Sequence, residues 1–326
     1  MKKQNVVIIV IGLALFSFVA AKMGWRDIVQ QLRAVVTAVP ILLALSALRM
    51  ALQTAAWSIA LRTHGIAANT TNLIGARLAS KGMGYLSGLG PVVAEPMRIS
   101  LLEDRSREAT AATLIDTSVY WVSSWFFMIF GTVCAVQFMS GGKRLWSLIT
   151  LVPLVIGAAF LMFRRKPALP GLVRVLGIHC PAWLREGEKV EAAIRDFQSR
   201  HPACIRRMFG LGIACQILMS AELIAIFLAL RIPCHPGTIL GLETASHVVE
   251  TAGGWLPARV GADESGMAAA SLTFGLSSLT GLAIALARRV RDLAETVAGL
   301  GWLAWRSRSA RQRVKGPGQL VPNACA

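Results

Sequence analysis

Glu95 and Arg98 stand three residues apart in GLGPVVAEPMR (88–98), the glycine- and proline-broken end of a polar interruption (72–97) in a mostly apolar chain. They share one face if the chain turns helical after Pro96, since proline is well tolerated at a first helical position. An ionised side chain at mid-bilayer costs about 2.5–3.5 kcal/mol on insertion scales, so such residues pair or face a cavity. Two readings follow. In one, Arg98 meets a phosphate while Glu95 orients that group or a proton; in the other, the stretch is a solvated motif at the cytoplasmic boundary.

A second interruption, TAGGWLPARVGADESGMAAASLTFG (251–275), repeats the pattern of a proline followed by a carboxylate, here Glu264. Broken backbone at membrane depth is tolerated only where protein or a water-filled cavity covers it. Paired interruptions in two halves of a chain point to a transporter-type site. The match between the two suggests a weak two-fold internal repeat, although their spacing differs.

Other ionisable residues fall inside apolar stretches. Asp116 lies near the start of one span, where it pairs with an arginine, marks an aqueous entrance or only snorkels. Glu222, in LMSAELIAIFLAL, sits deeper. Glu243, His247 and Glu250 follow at i, i+4 and i+7 and share a helical face. That spacing suits a proton relay or a polar stripe lining a cavity. HExxH and further ligands are missing, so no metal is expected. Arg288, Arg289, Arg291 and Asp292 interrupt the last apolar stretch. They are either buried mid-span or gathered at a turn on the inner surface, and Asp292 and Arg288 at i, i+4 would partly neutralise each other.

No GxSxG, P-loop or GxGxxG in strand–helix context is present, and no His/Cys cluster. The six cysteines lack CxxC or CxxH spacing and read as small hydrophobes or idle thiols. No enzyme activity and no cofactor are expected.

The elements that must position these groups are helices. Of 326 residues, 55% are hydrophobic and only 16% charged, with a mean hydropathy of +0.57, against about a quarter charged in soluble domains. Segments near 5–22, 37–62, 112–138, 145–163, 208–230, 236–257 and 276–304 approach the roughly 20 residues that a bilayer requires. The expected fold is all-α: a polytopic integral membrane protein of about seven or eight transmembrane helices plus two broken or re-entrant elements. The net charge of +17 borders apolar spans, which fits positive-inside topology and anionic headgroups, not nucleic acid. Lys2 and Lys3, the basic segment 164–207 and the basic stretch Arg306–Lys315 put both termini in the cytoplasm. WRDIVQQLRAVV (25–36) and the second half of 164–207, with Val190, Ile194 and Phe197 on one side, have the spacing of interfacial helices. A solvated connector is the alternative for 164–207. Residues 1–305 form one transmembrane domain, and 306–326 a basic, disordered tail.

In order along the chain, AAWSIALRTHGI, GPVVAEPMRISLL (E-x-x-R-x-x-L-L), LPARVGADESGMAAASLTFGL (P-x-x-x-G-x-x-E) and ALARRVRDLAETVAGLGWLAW resemble the flippase-like transmembrane family. This is the membrane region of lysylphosphatidylglycerol synthases and its stand-alone relatives. ATAATLIDTSVYW is similar to the branch associated with hopanoid biosynthesis. The resemblance implies a bacterial inner-membrane protein that moves or handles lipids. It puts Glu95, Arg98 and Glu264 on motif positions, and Arg289 or its neighbour Arg288 on the arginine of the last helix. Membrane lipids, and a lipid-biosynthetic enzyme, are the implied partners. Ala94 stands where the family usually has glycine. The aminoacyl-transfer domain of the full synthases is not expected here, so the chain should not make an aminoacyl lipid itself.

Overall fold

Pro40 sits in the first turn of a long helix, where its missing N–H loses nothing, and Gly65 closes the other end in the left-handed region at φ 75°. Between them runs α1, Val39–Thr63. The computed structural model describes residues 33, 35–87, 90–102, 106–138, 196–197, 199–254 and 256–314. The spans expected at 5–22 and 145–163, most of 25–36 and 164–207, and residues 315–326 lie outside the described residues.

The chain continues as α2 (Thr70–Ser87), α3 (Gly90–Ser100), α4 (Arg107–Phe138), α5 (Pro202–Ala229) and α6 (Pro236–Gly253). A 3-10 turn (Pro257–Arg259), α7 (Ala262–Thr273) and α8 (Ser278–Val314) follow. No strand occurs among the described residues. Val39–Thr63, Arg107–Ala135 and Pro202–Ala229 are long and apolar enough to cross a membrane. The spans expected at 236–257 and 276–304 form as α6 and α8 but fall outside that group. α6 places Glu243, His247 and Glu250 among its 18 residues, and α8 carries five charges between 288 and 295, so both are too polar for it.

Packing divides the interior into two apolar cores. One joins Leu42 of α1, Leu223 and Phe227 of α5, Leu242 of α6, Met267 of α7 and Ile284 of α8. The other joins Trp57 and Leu61 of α1, Leu73 of α2, Ile115 of α4 and Met208 of α5, with Trp302 of α8 against it. Along α1 the order is Leu42, then Ser46 and Arg49, then Trp57; along α8 it is Ile284, then Arg288 to Glu295, then Trp302. The charged residues thus form a layer between two apolar ends.

α8 is one continuous helix of 37 residues, about 55 Å long at 1.5 Å per residue. The charged cluster therefore lies mid-helix and does not mark a turn; Arg288, Arg291 and Asp292 are buried there, with Arg289 partly exposed. α7 packs along the first half of α8 and α2 along its second half. Glycines make these approaches possible, as small residues do in membrane helix packing. A Cβ on Gly299 would overlap the backbone of Leu78, and one on Gly281 the backbone of Met267.

The two interruptions correspond in kind. α2 packs back against α3, and α6 against α7. Pro96 does not open its helix: α3 starts at Gly90 and holds Pro96 inside. That removes one backbone hydrogen bond, a loss that neighbouring helices at membrane depth can make good. In the second interruption, Ala258 and Arg259 both adopt φ 51°, and Gly261 adopts φ 82° ahead of α7.

Candidate functional site

Eight basic side chains (Arg49, Arg77, Lys81, Arg98, Arg259, Arg288, Arg289, Arg291) meet nine carboxylates (Glu95, Asp116, Glu222, Glu243, Glu250, Asp263, Glu264, Asp292, Glu295) in the described interior. The layer is nearly neutral, so the surplus of +17 lies on other residues.

Its first part surrounds Asp116. Arg77 of α2 and Arg98 of α3 both donate to Asp116 Oδ2, Arg98 at 2.5 Å. Glu95 and Arg98 share a face, as their spacing requires, with 3.8 Å between them. The Arg98 guanidinium lies 4.3 Å from the Trp57 ring centroid, and Trp57 Nε1 donates to Thr113 Oγ1 at 3.1 Å. Of the readings of Asp116, the structure shows pairing, with two arginines. A small cavity lies beside it, lined by Gln53, Arg77, Asp116, Tyr120 and Cys215 among others.

The second part radiates from α8. Residues 288, 291, 292 and 295 follow at i, i+3, i+4 and i+7, and all four are buried on one face. Arg288 donates to Ser246 and, at 2.5 Å, to Glu243. Arg291 donates to Glu222. Glu295 accepts from Ser46, Lys81 and Arg49, the last at 3.1 Å. Asp292 does not neutralise Arg288, its i−4 neighbour. It accepts from Arg291 at 2.9 Å and from Arg259 at 2.8 Å, because α6 offers Arg288 a carboxylate directly across the interface.

The third part is the second interruption. Gly261 N–H donates to Glu264 Oε2 at 2.8 Å, so Glu264 caps α7 from its third helical position. Glycine in P-x-x-x-G-x-x-E supplies the positive φ, and the glutamate supplies the acceptor. Arg289 lies 2.7 Å from Glu264 and donates to the carbonyls of Ala258 and Arg259 at 3.4 Å. Arg259 faces Glu250 at 3.4 Å, Asp263 at 3.3 Å and Asp292 at 2.8 Å. These bonds hold two non-glycine residues in a conformation that costs of order 1–3 kcal/mol each.

Glu243, His247 and Glu250 reach three different elements: α8, α5 and the 3-10 turn. His247 Nε2 donates to Gln216 Oε1 at 2.9 Å, and Gln216 Nε2 donates to Ser124 Oγ at 2.5 Å. Among the described residues, no three metal-type side chains converge.

The two interruptions meet. A Cβ on Gly90 would lie 3.5 Å from the Gly254 carbonyl oxygen. Arg259 lies over the Tyr85 ring, 5.5 Å from its centroid. Lys81, Arg259 and Arg289 keep 16–37% of their side-chain surface, against at most 9% for the other five cations. Glu95, Glu250 and Asp263 are the carboxylates that stay partly exposed. Tyr85, Lys81, Arg259, Glu250, Asp263 and Arg289 form one continuous polar seam between the interruptions, while Arg98, Arg288 and Glu264 are enclosed.

Sequence reading missed Arg49, Arg77, Lys81, Arg259, Asp263 and Glu295. Arg49 carried a readable signal, a lone arginine in the middle of an apolar span. Lys81 and Arg77, at i, i+4 in α2, carried a weaker one.

Long apolar helices around a buried ionic layer define an all-helical integral membrane protein. The chain belongs to the family described as the lysylphosphatidylglycerol synthase TM region, whose profile matches residues 5–299. That region is the membrane part of such synthases and not their catalytic domain, and membership ties the chain to lipid metabolism. No curated protein and no solved structure matches it.

Proposed function

We propose that the protein is a lipid transporter of the flippase type, in a bacterial inner membrane with both termini cytoplasmic. A phosphate-bearing headgroup docks at the seam while the acyl chains stay in lipid. The observation that carries this reading is the confinement of the ionic layer's partly exposed cations to the junction of the two interruptions. Arg289 and Arg259 are the first contacts for phosphate, with Lys81 beside them. Arg98 and Arg288, enclosed and paired, hold the walls; Glu95 and Glu264 organise the two short helices. Broken helices meeting at a polar midplane are the usual setting of transporter sites.

The test is leaflet exchange of a fluorescent phosphatidylglycerol in liposomes. Accelerated exchange that Arg289→Ala and Arg259→Ala reduce at least tenfold supports the assignment. Unchanged exchange in folded variants overturns it.

One observation favours a second reading. Every cation of the layer already has a carboxylate, as in a rigid scaffold. A non-transporting partner of a lipid-biosynthetic enzyme, hopanoid-forming among the candidates, would show no intrinsic exchange but would co-purify with that enzyme.

A further inference from the structure

We propose that docking of an anionic, phosphate-bearing headgroup at the seam is accompanied by uptake of one proton on Glu295, an inference that rests on the lipid-handling reading above. The layer's centre holds three enclosed carboxylates, Glu222, Asp292 and Glu295, and two enclosed guanidinium groups, Arg49 and Arg291. One negative charge is left over. Its balance comes from the seam, where Lys81 bonds Glu295 and Arg259 bonds Asp292. Both are among the partly exposed cations a phosphate would meet first. Arg259 is already shared with Glu250 and Asp263, so it cannot also make up for the loss of Lys81.

Around Glu295 stand Ser46 and Arg49 from α1, Lys81 from α2, and Arg291 and Asp292 on its own helix. Glu222 of α5 competes for both arginines, lying 3.8 Å from Arg49 and bonded to Arg291. When a phosphate draws Lys81 toward itself, Glu295 keeps only a share of Arg49. An uncompensated carboxylate at this depth is strongly disfavoured and neutralises by binding a proton. The Lys81 side chain keeps 37% of its surface exposed, and the proton arrives by that same side, from which the headgroup comes. When the phosphate leaves, Lys81 returns and the proton is released. Headgroup and proton are then bound together, which supplies a coupling ion for transport.

The experiment uses the full chain in detergent, titrated with dihexanoyl phosphatidylglycerol. Calorimetry in two buffers of different ionisation enthalpy gives the number of protons taken up. The wild type should take up about one proton per lipid near neutral pH, and Glu295→Gln should bind lipid with none. Lys81→Met is the second variant: it should bind lipid more weakly, having lost one phosphate contact. Its centre lacks the seam cation beforehand, so it carries the proton already and the lipid it binds brings none. Lipid binding with buffer-independent heat in the wild type overturns the proposal and leaves the headgroup site standing. Undiminished uptake in Glu295→Gln overturns Glu295 as the acceptor. Absence of lipid binding overturns the headgroup reading itself, and the proposal with it.

Discussion

Arg259 lies face-on over Tyr85, its guanidinium carbon 5.5 Å from the ring centroid. This contact joins the end of α2, in the first interruption, to the 3-10 turn of the second. A cation over an aromatic face contributes about 0.5–2 kcal/mol, depending on desolvation, and needs the ring but not the hydroxyl. Tyr85→Phe should therefore leave lipid exchange within about twofold of wild type, and Tyr85→Ala should lower it several-fold. Equal loss in both variants would assign the effect to the hydroxyl.

Asp116 serves two buried guanidinium groups at once. Its replacement by Asn leaves Arg77 and Arg98 against each other with one weak partner, Glu95. Breaking a buried ion pair from one side costs about 3–5 kcal/mol. Asp116→Asn should lower the thermal midpoint in detergent by many degrees. Adding Arg77→Met to it should recover part of the loss, a coupling that a double-mutant cycle reads directly.

Two glycines of α8 two residues apart should differ sharply. An added Cβ at Gly299 meets the α2 backbone, whereas one at Gly301 meets no atom within 4 Å. Gly299→Ala should destabilise by about 1–3 kcal/mol through forced separation of the helices. Gly301→Ala should stay within about 0.5 kcal/mol of wild type. Thermal melts of the two variants side by side check this, and equal melts would contradict the packing of α8 on α2.

Glu264 combines a cap with a charge partner. Glu264→Gln keeps an oxygen for Gly261 N–H but leaves Arg289 without its carboxylate; Glu264→Ala removes both. The cap contributes about 0.5–2 kcal/mol, so Ala should melt below Gln by that margin. Both variants should increase proteolytic cleavage near Pro257–Arg259, where the left-handed residues depend on Arg289. Cleavage unchanged in both would separate Arg289 from the turn.

The sequence made the helices legible because apolar length alone marks α1, α4 and α5. It marked the interruptions too, through proline and glycine next to carboxylates. What it did not reveal was pairing. Asp292 and Arg288 are one turn apart on the same helix, yet each finds a better partner across an interface, and interfaces are not written in local spacing. Pro96 misled for a related reason: proline usually opens a helix, but α3 begins at Gly90 and neighbouring helices support it. Glu264 was legible as a motif carboxylate, but local spacing did not reveal that its side chain is enclosed and caps α7. Arg259, the centre of the seam, lay inside the quoted LPARVGADE and had no distinguishing signal. Its importance comes from three carboxylates on three other segments, α6, α7 and α8.

The charged face of α8 also constrains how the protein is made. Arg288, Arg289, Arg291, Asp292 and Glu295 would together cost on the order of 15 kcal/mol if this helix entered a bilayer alone, at about 2.5–3.5 kcal/mol each. Their partners on other elements belong to α1, α2, α5, α6, α7 and the 3-10 turn, all synthesised earlier. During biogenesis α8 must wait at the insertion machinery or the bilayer surface until those helices are in place to receive it. It is the closing piece of assembly, and truncation before it should leave a bundle of unmatched charges that quality-control proteases recognise.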